Sequence, residues 1–533
     1  MVEQVSTSAV NATSAVSPVG DASVTDWIAV AGGALGALMA TLDISIANSA
    51  LLQIQGGIGA TGTEGTWIST GYLMSEIVMI PLAAWLSRVF GLRNFLMTNA
   101  LLFMAFSAMC GLSTSLPQMI VARIGQGLSG GAMIPTAQTI VATRLPRHQL
   151  TIGITAFGLT TLLGPLLGPV LGGWLANTIG WGWCFFVNLP IGIALVLLLY
   201  LGLPRAAAQW DQFAKADWLG IAGLAAGLSS LTVVLEEGQR EHWFDSTLIV
   251  WLSVLAIVGI AVLIAAQFSA KTPIVRLRLL ANKSYSSVIV IVFVVGAALY
   301  CVSYMVPQFL SGIAGYNSQQ AGAIMLISGI PAFLMVPVLP RLIGRVDARL
   351  LIIMGLLCFA ASCLLDTTLT TQSVGHDFYG SQLLRGLGQM LAMMPLNRVS
   401  MSAVAQHEAG DAAGLYNMAR NLGGSVGLAL LGTFIDRRDA FHDATIRESV
   451  TANSVLGQEH IAATASGFLA QHGDRAIAHL QALGQFAAQI QQQAAAITFS
   501  ETFFVLAIGL SLCMPLVLVL NQPRSMTGPF VDH

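Results

Sequence analysis

Residues 161–174 read TLLGPLLGPVLGGW, with Gly164, Pro165, Gly168, Pro169, Gly172 and Gly173 set among leucines. Gly and Pro cost about 1 and 3 kcal/mol each inside a helix in water, so in a soluble protein this stretch would be a loop. It lies, however, in an apolar run over 152–176, and about 20 apolar residues suffice to cross a bilayer. Loop or helix is decided here by the surrounding solvent.

Composition identifies that solvent. The chain has 533 residues, 55% hydrophobic and only 9% charged, with a mean hydropathy of +0.75, whereas a soluble domain is about 25% charged. It reads as an all-α integral membrane protein in a lipid bilayer. The net charge of −2 argues against a nucleic-acid partner, which needs a basic patch to neutralise phosphates. The six cysteines, 110, 184, 301, 358, 363 and 513, all fall inside apolar runs. They read as small core residues rather than a disulfide framework or metal site, and no cofactor is expected. Residues 1–26 contain no Lys or Arg, which excludes a secretory signal and leads us to expect a disordered tail.

Apolar runs of sufficient length fall at 27–51, 66–87, 95–113, 117–141, 152–176, 183–203, 218–235, 246–268, 285–309, 321–339, 349–365, 378–404, 412–435 and 497–520. These are fourteen candidate spans. The even-numbered loops carry the basic residues, from Arg88 and Arg93 through Arg144, Lys215, Lys271 and Arg276 to Arg349, and the short odd-numbered loops carry only Arg240. The positive-inside rule then places the even loops and both termini in the cytoplasm.

The halves echo one another, as in many transporters. Span 4 contains VARIGQGLSGGAMIP (121–135) and span 12 contains LLRGLGQMLAMMP (383–395), each an Arg, then a Gln in a Gly-rich stretch, then a Pro. The expected organisation is a six-helix bundle over 27–203, two inserted helices with linkers over 204–284, and a second bundle over 285–520, with a cytoplasmic tail at 521–533. An outer loop at 436–496 interrupts the second bundle. Its end, RAIAHLQALGQFAAQIQQQAAA (475–496), is helix-prone and could run directly into span 14.

Charge inside a membrane costs several kcal/mol unless paired or hydrated, so intramembrane ionisable residues are functional candidates by default. The carboxylates deep within the spans are Asp43 and Glu76; the deep basic residues are Arg123, Arg385 and Arg420; no histidine is among them. If protons are carried, carboxylates must carry them. At 1.5 Å per residue, Asp43, Arg123 and Glu76 lie about 12, 10 and 15 Å below the outer ends of their spans, so Asp43 and Arg123 are level. Low dielectric disfavours a charged carboxylate and a nearby guanidinium favours it; a site of that kind is switched by making or breaking the pair. The plainer alternatives are a static clamp on backbone carbonyls for Arg123 and a helix-packing hydrogen bond for Asp43. Glu76 could instead select cationic substrates. Arg385 and Arg420, about 10 Å inside their spans, are expected to snorkel and to be mainly structural.

These residues carry a resemblance. LDISIANSAL (42–51), RIGQGLSGG (123–131), GPLLGPVLGG (164–173), WGWCFFVNLPIG (181–192) and GLYNMARNLGGSVG (414–427) resemble, in order, the first-, fourth-, fifth-, sixth- and thirteenth-span motifs of the fourteen-span drug:proton antiporters of the major facilitator superfamily. The chain is most similar to EmrB-like multidrug pumps, from Trp27 to Leu520. Leu52 and Gly182 depart from the usual Pro and Arg. In AAWLSRVFGLRN (83–94), Arg88 stands where the loop 2-3 motif usually has Asp, which puts the usual cytoplasmic charge relay in doubt.

The resemblance implies the major facilitator fold with 14 transmembrane helices (6 + 2 + 6) and no enzyme activity. It also implies proton-coupled export of small amphiphilic substrates across the bacterial inner membrane, with Asp43, Glu76 and Arg123 coupling protons. A cavity is expected from Asn48, Tyr72, Gln126, Phe157, Tyr300, Tyr304 and Phe309. The fifth-span segment becomes a gasket and hinge, Pro165 and Pro169 bending the span and the glycines packing it against the opposing bundle; Pro and Gly are tolerated in lipid because neighbours satisfy the backbone. EmrB-like pumps work with a periplasmic adaptor and an outer-membrane channel, so the long outer loop is expected to dock the adaptor. A dedicated exporter of a fatty acid, siderophore or other metabolite would use the same apolar cavity, whereas an importing proton:solute symporter is disfavoured by the resemblance of the fifth span to the antiporter motif. A membrane enzyme or channel finds no nucleotide, metal or nucleophile motif in support.

Overall fold

The computed structural model describes residues 21–520 apart from 62–63, 215, 271–272, 450–453 and 473. Most of the tail expected over 1–26, all of 521–533, and Lys215 and Lys271 lie outside the described residues. Within them the chain is helical, without strands. The first bundle contains α1 (Val24–Ser49), α2 (Trp67–Phe90), α3 (Leu92–Gly111), α4 (Leu116–Gly130), α5 (Met133–Arg144), α6 (Arg147–Thr178) and α7 (Asn188–Gly202). An inserted pair follows, α8 (Trp218–Glu237) and α9 (Thr247–Ser269). The second bundle contains α10 (Lys283–Gly312), α11 (Ser318–Leu326), α12 (Gly329–Met335), α13 (Ala348–Leu365), α14 (Tyr379–Ser402) and α15 (Ala409–Ser449), then α16 (Val455–His472) and α17 (Arg475–Leu512).

Among the described residues ten helices are long and apolar enough to cross a membrane. Spans 4 and 10 are helical but divided, into α4 with α5 and α11 with α12, and spans 12 and 13 carry the polar residues of the interior. Starts follow capping chemistry: Ser23 and Asp26 form a capping box at α1, Asn317 and Gln320 at α11, and Asp474 caps α17, each satisfying amides that the first turn leaves unpaired. Faces that would be a liability in water are open: Trp251, Ile257 and Phe268 of α9 are 68, 70 and 88% exposed, as a lipid-facing helix requires.

The opening stretch is helix. α6 runs unbroken through Pro165 and Pro169. Because Pro169 has no N–H, the carbonyl of Pro165 loses its helical donor, and Ser45 Oγ of α1 approaches that carbonyl at 3.5 Å. The glycine row packs elsewhere than expected. Cβ atoms added at Gly164 and Gly172 would lie 2.6 Å from Thr41 Cβ and 2.8 Å from Ile46 O, so the row faces α1 of its own bundle. The opposing bundle meets Pro169 and Leu166 instead, which face Gly322 of α11 and Gly329 of α12. Spacing by four puts the glycines on one helix face, and only one partner can occupy it. The inserted pair uses the same device: a Cβ at Gly223 would lie 2.7 Å from Leu263 N, and one at Gly259 would lie 2.6 Å from Gly227 Cα.

At the end bearing the basic loops, ion pairs tie the bundles together. Arg88 Nη1, at the end of α2, lies 3.1 Å from both carboxylate oxygens of the buried Asp411 in α15. Arg276, in the linker after α9, bonds Asp411 through Nε at 3.1 Å and Glu408 through Nη1 at 3.2 Å. Arg88, where the motif usually has Asp, thus meets an acid on the opposite bundle. Asn417 of α15 adds a 2.7 Å bond to Gln138 of α5. At the other end α15 continues to Ser449, α16 lies along α17 with His460 Nε2 3.1 Å from Gln489 Oε1, and α17 runs from Arg475 without a break into span 14 as far as Leu512.

Two outcomes are expected. Gly168→Ala places a Cβ 3.0 Å from the Ser45 backbone carbon, an overpacking worth about 1–3 kcal/mol, so its melting temperature in detergent should fall. Gly173→Ala, with nothing within 4 Å, gains helix propensity and should melt no lower than the parent; equal effects at both positions would contradict the packing face. Asp411→Ala leaves Arg88 and Arg276 opposed. In a background without native cysteines, maleimide labelling of Ala413→Cys, a position 0% exposed, should accelerate at least tenfold when Asp411 is removed. An unchanged rate would show that the ion pairs do not hold this end closed.

Candidate functional site

Asp43 and Arg123 meet in the core of the first bundle, 1% and 0% exposed. Arg123 Nη1 donates to Asp43 Oδ2 at 2.6 Å. The other carboxylate oxygen accepts from Gln126 Nε2 at 3.1 Å and Asn188 Nδ2 at 2.6 Å. Arg123 also donates through Nε to Ile68 O of α2 at 3.2 Å and through Nη1 to Gln126 Oε1 at 2.9 Å. Its guanidinium sits 4.5 Å from the Tyr72 ring centroid, a cation–π contact. Arg123 is therefore both a backbone clamp and half of an ion pair.

The local sequence explains why such a pair can form in lipid. Glycines follow Arg123 in RIGQGLSGG, and a Cβ at Gly131 would lie 2.7 Å from Glu76 O. That close approach of span 4 to α2 brings the arginine within reach of a carbonyl. Removing either member of a buried ion pair costs about 3–5 kcal/mol because the remaining charge is uncompensated. Here every oxygen of the carboxylate has a donor.

Glu76 is placed differently. It is 2% exposed and has no hydrogen-bond or ion-pair partner among the described residues. One helical turn from Tyr72 on α2, it lines a cavity with Leu73, Ile77, Thr232, Tyr300, Asn421 and Ser425, which come from α2, α8, α10 and α15. Tyr300 Oη donates to Asn421 Oδ1 at 3.4 Å. The cavity thus lies where both bundles and the inserted pair meet.

The structure gathers Asp43, Arg123, Gln126 and Tyr72 at one centre, and Glu76 and Tyr300 at the adjoining cavity. Four other candidates lie apart. Phe157 lines a separate cavity with Gln138 and Asn397. Phe309 is packed in the second bundle's core, with ring centroids 5.5 and 5.7 Å from Phe378 and Phe499. Tyr304 is 48% exposed, and Asn48 accepts from Ser69 Oγ at 2.7 Å in an exposed position.

Several polar residues escaped the inventory of deep charges. Asn188, in the sixth-span VNLP stretch, completes the shell of Asp43 and donates to Ser107 Oγ at 3.0 Å; an amide carries no charge to flag it. Arg385 does not snorkel as expected. It is 5% exposed and pairs with the buried Asp366 at 2.5 Å, because the turn after α13 folds that carboxylate back under α14. Glu237, at the end of α8, is buried and pairs with Arg240 at 2.9 Å. Both acids fall just past the ends of their apolar runs, where a count confined to span interiors does not look.

Residues 33–428 match the Major Facilitator Superfamily. The chain is 33% identical over 437 residues to the colistin resistance protein EmrB of Acinetobacter baumannii, covering 82% of this chain and 85% of that one. It is 29% identical over 476 residues to the multidrug export protein EmrB of Escherichia coli K12, covering 89% and 91%. The fatty acid resistance protein FarB of Neisseria gonorrhoeae is 29% identical over 510 residues, covering 94% and 97%. In fold the chain resembles the proton:xylose symporter XylE at 15% identity, with a TM-score of 0.56 over 91% of this chain and 94% of that one. It likewise resembles the human organic anion transporter MFSD10 at 16% identity, with a TM-score of 0.55 over 91% and 99%. With its motifs, its helical bundles and these relatives in agreement, the chain belongs to the Major Facilitator Superfamily, among its EmrB-like members.

Proposed function

We propose that the protein is a proton-coupled antiporter that exports amphiphilic drugs or other toxic hydrophobic compounds across the bacterial inner membrane. The observation that carries this reading is the buried Asp43–Arg123 pair, one turn of α2 away from an unpaired carboxylate, Glu76, at a cavity between the bundles. Protonation of Asp43 removes the charge to which Arg123, Gln126 and Asn188 donate. Arg123, still held by Ile68 O, is then free to change partner, and α1, α4 and α7 lose their common anchor. Coupling follows if one arrangement of the bundles favours the paired state and the other the protonated one. In this reading Asp43 carries the proton, Arg123 sets its release, Glu76 serves coupling or cation selection, and the basic loops and both termini face the cytoplasm.

The likeness to a fatty acid resistance protein favours a second reading, a dedicated exporter of a fatty acid, with siderophores or other metabolites as variants. A panel of compounds tested in efflux-deficient cells separates a broad substrate range from a single one.

The hairpin opposite the basic end supports a partner. Helix connections usually run about 2–8 residues; here α15, α16 and α17 extend well past the apolar spans, with the polar part of α17 at 475–496 reaching roughly 33 Å at 1.5 Å per residue. We assign this projection to docking a periplasmic adaptor that joins an outer-membrane channel in a tripartite system.

Three experiments bear on these roles. In proteoliposomes under an imposed pH gradient, Asp43→Asn and Glu76→Gln should each abolish gradient-driven transport while the protein remains in the membrane; retained transport in both variants contradicts the coupling assignment. Arg123→Ala should stop turnover or move its pH optimum, and Arg123→Lys should rescue poorly, since an ammonium cannot reproduce the guanidinium's geometry. Full activity of the Ala variant at every pH would rule out its role. Deleting residues 440–490 with the loop re-closed should spare transport in liposomes but remove cellular resistance and adaptor pull-down. If both survive, the projection is dispensable.

A further inference from the structure

The inserted helix α8 lies between the bundles in the half away from the basic loops. Toward the basic end α2 and α15 meet directly: a Cβ at Gly414 would lie 3.4 Å from Ile80 O, and one at Gly410 would lie 3.3 Å from Ala84 Cβ. Further from that end, neighbouring residues of α8 reach to opposite sides. Glu237 accepts from Thr70 Oγ1 of α2 at 2.6 Å and from Thr66 Oγ1, just before α2, at 3.1 Å. Glu236 Oε1 instead accepts from Ser425 Oγ of α15 at 2.8 Å, and Gln239 Nε2, just past α8, donates to Asp436 Oδ2 of α15 at 2.8 Å. Thr232 of α8 lines the Glu76 cavity, and α9 turns Trp251, Ile257 and Phe268 outward. The pair thus stands between that cavity and the bilayer.

The two faces of α8 differ in what it costs to separate them. Along α2 the helix is held from end to end. Trp218 packs edge-on against Trp85 with ring centroids 6.4 Å apart, and Ser229 Oγ donates to Met74 O at 3.2 Å. Glu237 is 1% exposed and pairs with Arg240 at 2.9 Å, while Arg240 Nη1 donates to Thr66 Oγ1 at 2.8 Å. Pulling α8 from α2 would strip two hydroxyl donors from a buried carboxylate and separate its arginine from Thr66, and a buried charge that loses its partners is costly. The bonds to α15 are weaker: one neutral hydroxyl donated to Glu236, and the exposed contact of Gln239 with Asp436, which water can replace.

We infer that the inserted pair is a side wall carried by the first bundle. α8 and α9 keep their place on α2 while the bundles move, and the face between α8 and α15 is the seam that parts and re-forms. The wall separates the Glu76 cavity from lipid on this side; where α6 meets α11 and α12, the bundles pack on one another directly instead. The inference rests on the exporter reading, in which the bundles change their arrangement.

The test uses the full chain in lipid nanodiscs, without native cysteines, and spin labels on pairs of Leu112→Cys, Asp245→Cys and Arg437→Cys. These exposed positions lie in the first bundle, between α8 and α9, and on α15. Distances are measured by double electron–electron resonance in alkaline buffer, in acidic buffer and with Asp411→Ala, which unties the basic end. Leu112–Arg437 and Asp245–Arg437 should shift together, by about 5 Å or more as bundle movements do, while Leu112–Asp245 stays constant. A Leu112–Asp245 distance that changes with the bundles overturns the inference, as does a Leu112–Arg437 distance that is the same throughout. In proteoliposomes, a bis-methanethiosulfonate bridge between Gln239→Cys and Asp436→Cys should stop ethidium transport until it is reduced. A bridge between Thr70→Cys and Glu237→Cys should leave transport as it is in the reduced form of the same variant. Transport that survives the first bridge, or is lost with the second, also overturns the seam. A protein whose labels move as expected but which carries neither ethidium nor laurate refutes the exporter reading and leaves the wall standing.

Discussion

A carboxylate and a guanidinium fully enclosed in a lipid-embedded bundle can coexist only if each satisfies the other. Asp43 has a donor on both oxygens, and Arg123 is held by the carboxylate, an amide and a carbonyl. These bonds draw together α1, α2, α4 and α7, so the centre of the first bundle is organised around one charge pair. Dispersion forces alone give helices in lipid little reason to prefer one register, because lipid tails are as apolar as Leu. A buried polar network supplies that preference, since any slip leaves a charge unpaired.

The remaining packing works by removal of side chains. Glycine rows on α6 and at the α8–α9 crossing let backbones approach closely, and close approach replaces the hydrophobic drive that water would supply. Serine and threonine of α1 occupy the space the glycines of α6 vacate, while Pro169 and Leu166 face the opposing bundle. One helix thus presents two surfaces, a close-packed one toward its own bundle and a larger-residue one toward the second bundle.

Charge is distributed by depth in the same way. At the basic end the buried Asp411 is paired with two arginines that reach water, each 36% exposed. Deeper, Asp366 and Arg385 repeat in the second bundle the pairing of Asp43 with Arg123, each arginine coming from the corresponding span of its half. The Glu76 cavity breaks the pattern: there a buried carboxylate stands without a hydrogen-bond or ion-pair partner among the described residues, and an ionisable group inside a membrane is a functional candidate by default.

The sequence by itself determined solvent, fold class and the residues most expensive to bury. Hydropathy and the scarcity of charge force a membrane protein, and helix rise puts Asp43 level with Arg123, because each of these follows from local chain geometry and transfer energy. Partners across helices were beyond it. Which bundle the glycines of α6 face, that Arg385 finds Asp366, and that Arg88 meets an acid 323 residues away depend on rotations and crossings that local periodicity does not encode. Asn188 and Glu236 became visible only in three dimensions for the same reason: one is uncharged and the other sits at the end of its apolar run, so neither draws notice until the helix beside it is in place.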